Sequence, residues 1–239
     1  MNINELGQPV GPPLPGWKGV ERPPRTAMTG RYCRVEPIDP ARHAEDLYRA
    51  NALDFSRRSF TYLLSGPFDT FDAYRQWMES SCLGDDPLFH AIVDAGTGKA
   101  VGVAAYMRID PKNGVIEVGN LNFSPLLQRK PAATEAMYLM MKRVFEMGYR
   151  RYEWKCDSLN APSRAAAQRL GFSYEGIFRQ AVVYKGRSRD TAWYAAIGSE
   201  WPALERAFQR WLDPANFDGQ EKQRVRLSDL TGPILKRRG

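Results

Sequence analysis

The chain has 239 residues, a formal net charge of +7, 43% hydrophobic and 12% aromatic residues. That is enough for one good-sized domain with extensions, and no stretch approaches the roughly 20 apolar residues of a membrane span. The N-terminus lacks the basic start and apolar core of a secretory signal, and three cysteines without CxxC spacing (Cys33, Cys82, Cys156) exclude a disulfide framework and a zinc site. The expectation is a cytoplasmic protein that needs no metal and keeps its cysteines reduced and buried. The positive charge permits an anionic partner. Much of it sits in Lys18 to Arg25 and Arg224 to Arg238, without an aromatic-interleaved basic stripe, which argues against nucleic acid. Docking of the basic tail on ribosomal RNA is the weaker reading.

Residues 1–29 are dense in Pro and Gly, so an extended arm is expected, with Leu14 and Trp17 pinning it to the domain. Arg31 to Pro37 reads as a strand. Asp39 is placed to N-cap a helix with Pro40 at its first position, and a second helix runs from about Thr70 to near Gly84. Leu88 to Asp94 and Lys99 to Ile109 form a hairpin pair across Ala95 to Gly98, and a turn at Asp110 to Gly114 leads into the next strand.

That strand opens the stretch the chain is organised around, Val115 to Met147. It breaks at Ser124-Pro125, crosses a basic loop at Gln128 to Pro131, and continues as a helix with Ala133, Ala136, Met137, Met140, Met141, Val144 and Met147 on one face. A helix entered this way presents unpaired N–H groups and a positive dipole end, which attract phosphate, and Arg129 and Lys130 add charge there. An ordinary solvated connection fits the same residues. Alternation in the strand is imperfect, and a bulge near Gly119-Asn120 repairs it and splays the strand from Arg151 to Cys156. A helix (Ala161 to Leu170), a strand (Ser173 to Val183), a turn (Lys185 to Arg189), a strand (Thr191 to Ile197) and an amphipathic helix (Glu200 to Leu212) follow, then a polar, basic tail. The mixture predicts an α/β sheet, partly antiparallel and partly crossed over by helices.

Gln128, Pro131 and Ala133, with Asn160-x-x-Ser163 and Leu170-Gly171-Phe172 downstream, resemble the two cofactor motifs of the GCN5-related N-acetyltransferases (GNAT), on the branch with the ribosomal-protein N-terminal acetyltransferases. Pro131 stands where the family usually has Gly. The resemblance covers roughly residues 30 to 200, giving a domain at 30–199 between the 1–29 arm and a 200–239 helix and tail. It implies a mixed, mostly antiparallel α/β sheet flanked by helices, with splayed central strands. It implies acetyl-CoA as co-substrate. Its pyrophosphate would be held by Gln128, Arg129, Lys130, Ala132 and Ala133 or a subset of them, and its arm by the main chain of Leu121 and Phe123 and by Asn160 and Ser163.

Acetyl transfer to an amine needs a base, a polarised carbonyl and a proton for the thiolate. Glu117, on the slot-forming strand, is the candidate base, against the alternative of an exposed strand carboxylate. Relatives carry a Tyr acid where this chain has Ala167, which leaves Ser163 as a weaker acid and Tyr106, Tyr174 and Tyr184 as other donors. His43 and His90 read as structural, and Glu135 as a helix-dipole or supporting residue. The loop Phe55 to Phe71 would shape the acceptor site, where Asp54 either binds an ammonium or caps a turn. The acceptor is a small-molecule or peptide amine, and no signal separates a monomer from a homodimer. The alternative function is a non-catalytic acyl-CoA sensor or partner-binding module on the same fold.

Overall fold

A computed structural model describes residues 2–220 and 222–239. Met1, in the expected arm, and Glu221, in the expected tail, lie outside the described residues. The arm begins with a small hairpin, β1 (Asn2–Ile3) against β2 (Pro9–Val10), where only extended chain is expected. Its anchor is Trp17: the indole N–H donates to the Lys112 carbonyl at 2.8 Å, and the Arg150 guanidinium lies 5.4 Å from the ring. Leu14, the other expected anchor, stays exposed.

Alternating apolar segments pair with their chain neighbours, through short turns except where two helices separate the second strand of the sheet from the third. β3 (Met28–Thr29), β4 (Cys33–Pro37), β5 (Leu88–Asp94), β6 (Ala100–Asp110) and β7 (Val115–Phe123) therefore run antiparallel in that order. Between β4 and β5 come α1 (Pro40–Ala52), capped by Asp39 as its sequence predicts, and α2 (Phe71–Ser81), capped by Thr70. Next, α3 (Pro131–Glu146) crosses over to β8 (Arg151–Asp157), and only this crossover lets β8 lie parallel to β7. After α4 (Ala161–Arg169), the hairpin of β9 (Ser173–Tyr184) and β10 (Arg187–Ile197) completes an eight-stranded sheet ordered β3-β4-β5-β6-β7-β8-β10-β9. Its turn is only Lys185-Gly186, tighter than Lys185 to Arg189, because both residues adopt positive φ (48° and 70°), the backbone a two-residue hairpin prefers.

One face of the sheet packs the buried side of α3 and α5 (Trp201–Leu212), with Met140, Met141, Leu204 and Phe208 among its fully buried residues. The other packs α1 and α2 over β5 and β6. The C-terminal segment is not a free tail. It forms α6 (Leu227–Thr231), buries Leu227, and returns to β9, where the Tyr174 N–H donates to the Arg237 carbonyl at 3.0 Å. Among the described residues no helix is long and apolar enough to cross a membrane.

Candidate active site

The site begins where β7 and β8 part. Their pairing runs from Val115↔Arg151 to Val118↔Trp154 and stops. Against β6, Ala105 pairs with Gly119 but Val103 pairs with Asn122, so β7 carries an extra residue at Asn120-Leu121, with Asn120 at φ 51°. This is the bulge the alternation demands, and it carries β7 away from β8. Two cavities flank the gap, with Trp154 in the wall of both. The larger, about 720 Å³, lies toward the loop after α1, and its walls include Tyr62, Glu117, Leu121, Asn160 and Ser163. The other, about 560 Å³, lies between α3 and α4 and is lined by Phe123, Arg129, Lys130, Ala133 and Arg169.

Glu117 is 2% exposed, and so is not an exposed strand carboxylate. Arg108 Nη1 reaches both of its oxygens at 2.8 Å, and Lys155 Nζ reaches Oε2 at 2.9 Å. Lys155 also pairs with Glu153 at 2.7 Å and sits 3.7 Å from the Trp193 ring centroid. Burial raises the Glu117 carboxyl above its ordinary value, outweighing Lys155 and Arg108, which pull it down. At Glu153 burial also acts upward, but hydrogen bonds from Lys155 and Arg151 outweigh it and the net direction is down. Two carboxylates sharing one lysine are thus driven apart, and the one on the cavity wall is the better proton acceptor.

Asn160 Oδ1 accepts from the Ser163 N–H at 3.2 Å, so its carbonyl caps α4, and its amide is the group left for a ligand. Ser163 Oγ accepts from Trp154 Nε1 at 3.0 Å, and its hydroxyl also faces the Cys156 thiol, which burial pushes up and the Ser163 bond pulls down. Tyr184 donates to Asp157 Oδ2 at 2.8 Å, and burial followed by that bond pushes its hydroxyl up to about 12. Tyr106 is fully buried with its hydroxyl on the Met140 carbonyl, and Tyr174 packs under the C-terminal segment, so neither serves the cavity. Ala167 is buried in the core.

The loop before α3 differs from the expectation at two positions, Ala133 and Gln128. The Ala133 N–H donates to the Lys130 carbonyl at 3.1 Å, because the first turn of α3 closes on itself across Pro131, so Ala133 is not an anion donor. Gln128 turns back, its Nε2 donating to the Phe123 carbonyl at 2.7 Å, which ties the loop to β7 and occupies a main-chain group expected to meet the cofactor. The N–H groups of Arg129 and Ala132 have no protein partner among the described residues, and Arg129 adopts left-handed backbone (φ 61°) at the helix entrance.

Glu135 does more than face a dipole. Its carboxylate accepts the N–H groups of Arg31, Tyr32 and Cys33 at 2.7, 2.6 and 2.9 Å, clamping the start of β4 to α3, and a Cβ on Gly30 would lie 2.3 Å from its Cδ. Asp54 spends its oxygens on Ser56 and the Ser59 N–H, which is the capping role. Both histidines are buried: His43 Nδ1 accepts the Asp39 N–H, and His90 lies edge-on to Tyr106. Arg108, Lys155, Asp157 and Arg189 escaped the sequence reading. A signal existed, since Arg151, Glu153, Lys155 and Asp157 occupy every second position of β8, opposite the apolar face of Tyr152, Trp154 and Cys156.

A cleft between splayed parallel strands thus leads to N–H groups of Arg129 and Ala132 without protein partners among the described residues, at the head of the following helix. The family model described as an acetyltransferase (GNAT) domain matches residues 34–173. A GCN5-related N-acetyltransferase from Brucella melitensis shares 46% identity over 92% of this chain and 100% of its own, with a TM-score of 0.90. A probable acetyltransferase of the GNAT family from Chromobacterium violaceum shares 40% over 82% of this chain and 98% of its own, with a TM-score of 0.76. The microcin C7 self-immunity acetyltransferase, solved with acetyl-CoA and AMP, is alike in fold: 21% identity over 70% of this chain and 93% of its own, TM-score 0.59. No curated protein matches the chain. The sheet is the expected mixed, mostly antiparallel one, and by family model and structural relatives alike the chain belongs to the GNAT acetyltransferases.

Proposed function

We propose that this acetyltransferase takes its acetyl group from acetyl-CoA and passes it directly to a primary amine of a small molecule or a protein N-terminus. The observation that carries the reading is Glu117: a buried carboxylate with a raised proton affinity, on the wall of the larger cavity, where β7 leaves β8. Acetyl-CoA fits the residues present, because the side chains of Arg129 and Lys130 line the smaller cavity at the head of α3, where the Arg129 and Ala132 N–H groups have no protein partner among the described residues, and the gap between β7 and β8 suits an extended arm. Bound there, it supplies a thioester whose carbonyl the amine nitrogen attacks, so that a C–N bond forms as the C–S bond breaks.

Glu117 takes the proton the nitrogen sheds, with Lys155 and Arg108 fixing its carboxylate. The Ser163 hydroxyl, oriented by Trp154 Nε1, hydrogen-bonds the departing thiolate, which takes its proton through that hydroxyl from solvent. Leu121, in the bulge, and the Asn160 amide line the path of the arm. The acceptor would enter past the loop carrying Arg58, Thr61 and Tyr62. The ribosomal-protein branch and a cytoplasmic location belong to the same proposal; three free, buried cysteines support the latter. Thiol release from acetyl-CoA, followed across dipeptides, free amines and polyamines, tests it. Release that requires both an amine and Glu117 supports it, and acetyl-CoA binding without release on any amine would favour the non-catalytic sensor.

A further inference from the structure

The charged side chains facing the larger cavity are Arg58, Arg108, Lys155 and Arg189 against Glu117 and Asp157. Two of the cations are committed, since Arg108 and Lys155 hold Glu117, and Lys155 also holds Glu153. Asp157 accepts from the Tyr184 hydroxyl at 2.8 Å and the Leu159 N–H at 2.9 Å. Arg58 and Arg189 have no carboxylate within ion-pair distance among the described residues. Arg189 lies 5.9 Å from the Tyr184 ring centroid, and its Nε is buried without a hydrogen-bond partner. The same is true of Thr191 Oγ1 and Trp193 Nε1, two and four residues further along β10. Thr191 is 5% exposed and pairs with Asp157, a cavity residue, while Trp193 pairs with Lys155. Of these three donors along β10, Arg189 stands on the cavity wall, and a buried donor there is costly until a ligand or solvent brings an acceptor.

Resting on the acetyl-transfer reading, we propose that the acceptor is an amine that also carries an anionic group, a carboxylate or a phosphate, and that Arg189 binds that group. The amine sits at the Glu117 end and the anion at the far end of β8. Trp193 to Arg189 measures about 13 Å of strand, so amine and anion are separated by several bonds. A polyamine would place a second cation against Arg189 and Arg58, so polyamines are disfavoured.

The test uses chain-matched amines with the full-length protein: aminohexanoate against aminohexanamide, aminohexyl phosphate against aminohexanol, and spermidine. kcat/KM is read from thiol release and binding from tryptophan fluorescence. A charged amine preferred about tenfold or more over its neutral match, with the preference lost in Arg189→Gln, partly kept in Arg189→Lys, and neutral-amine turnover unchanged, is the expected result. Whichever anion is preferred identifies the acceptor chemistry. Equal kcat/KM for charged and neutral amines, or Arg189→Gln slowing both alike, overturns the inference. Absence of turnover on every amine removes acetyl transfer, and the charge preference is then decided by binding: equal binding, or none, of charged and neutral amines overturns it as well.

Discussion

Replacing Glu117 by Gln keeps the shape of the side chain and removes the one group proposed to take the amine proton. A positioned general base contributes on the order of 10² to 10⁴ in rate, about 3–5 kcal/mol of barrier, so kcat should fall by that factor. Stability should change little, for a reason visible in the ion pairs. Lys155 keeps Glu153 at 2.7 Å, and the side chain of Arg108 is 55% exposed, so neither cation is left buried and unpaired. The raised proton affinity of Glu117 also means that the fold works against its charge, and a neutral amide relieves that cost. We predict a hundredfold or larger loss of kcat with an unfolding free energy within about 1 kcal/mol of the parent. The wild-type rate should rise with pH through a titration above the ordinary carboxylate value, and Glu117→Gln should lack that limb. Steady-state kinetics from pH 5 to 9, with thermal melts of both proteins, make the comparison. A Gln variant that retains its rate to within a few-fold, or one that loses rate only because it unfolds, would refute the assignment.

Glu135→Ala leaves three N–H groups at the start of β4 without an acceptor, and at about 1–3 kcal/mol each it should lower the unfolding free energy by at least 3 kcal/mol, readable by urea titration; a loss under 1 kcal/mol would return Glu135 to a dipole role. His90 is held by burial down at about 4 against an ordinary 6.5. Between those values the unfolded chain binds a proton that the folded chain does not, so stability contributed by His90 is full above pH 6.5 and falls by about 3 kcal/mol toward pH 4. His90→Phe should flatten the melting temperature between pH 7 and 5, and an unchanged slope would remove His90 as a cause of acid sensitivity.

The strand-loop-helix unit from β7 to α3 was legible because every level agreed: a broken alternation that only a bulge repairs, a proline suited to a first helical turn, and a 3.6-residue apolar period behind it. The assignment of N–H groups was not. Whether Ala133 donates outward or to Lys130 depends on how the turn closes, and whether Gln128 faces solvent or Phe123 depends on a side-chain torsion; residue identity fixes neither. Glu135 and Arg31 to Cys33 are about a hundred residues apart in sequence, and a carboxylate on a helix carries no mark of the backbone it will clasp. The charged face of β8 was readable in principle, since four charges alternate in a strand otherwise built for the core. The C-terminal segment misled because Leu227 and Ile234 are sparse among basic residues, yet they suffice to bring the chain back onto β9.

The central claim is that acetyl-CoA binds where β7 parts from β8, with its phosphates at the head of α3. Thermal unfolding with and without acetyl-CoA tests this most directly. At about 100 times its dissociation constant a ligand of the native state adds roughly 2.7 kcal/mol, which in a domain of this size raises the melting temperature by about 5–10 °C. That rise is the expected result, and it should shrink when Arg129 and Lys130 are both changed to Ala. An unchanged melting temperature at saturating acetyl-CoA would contradict it.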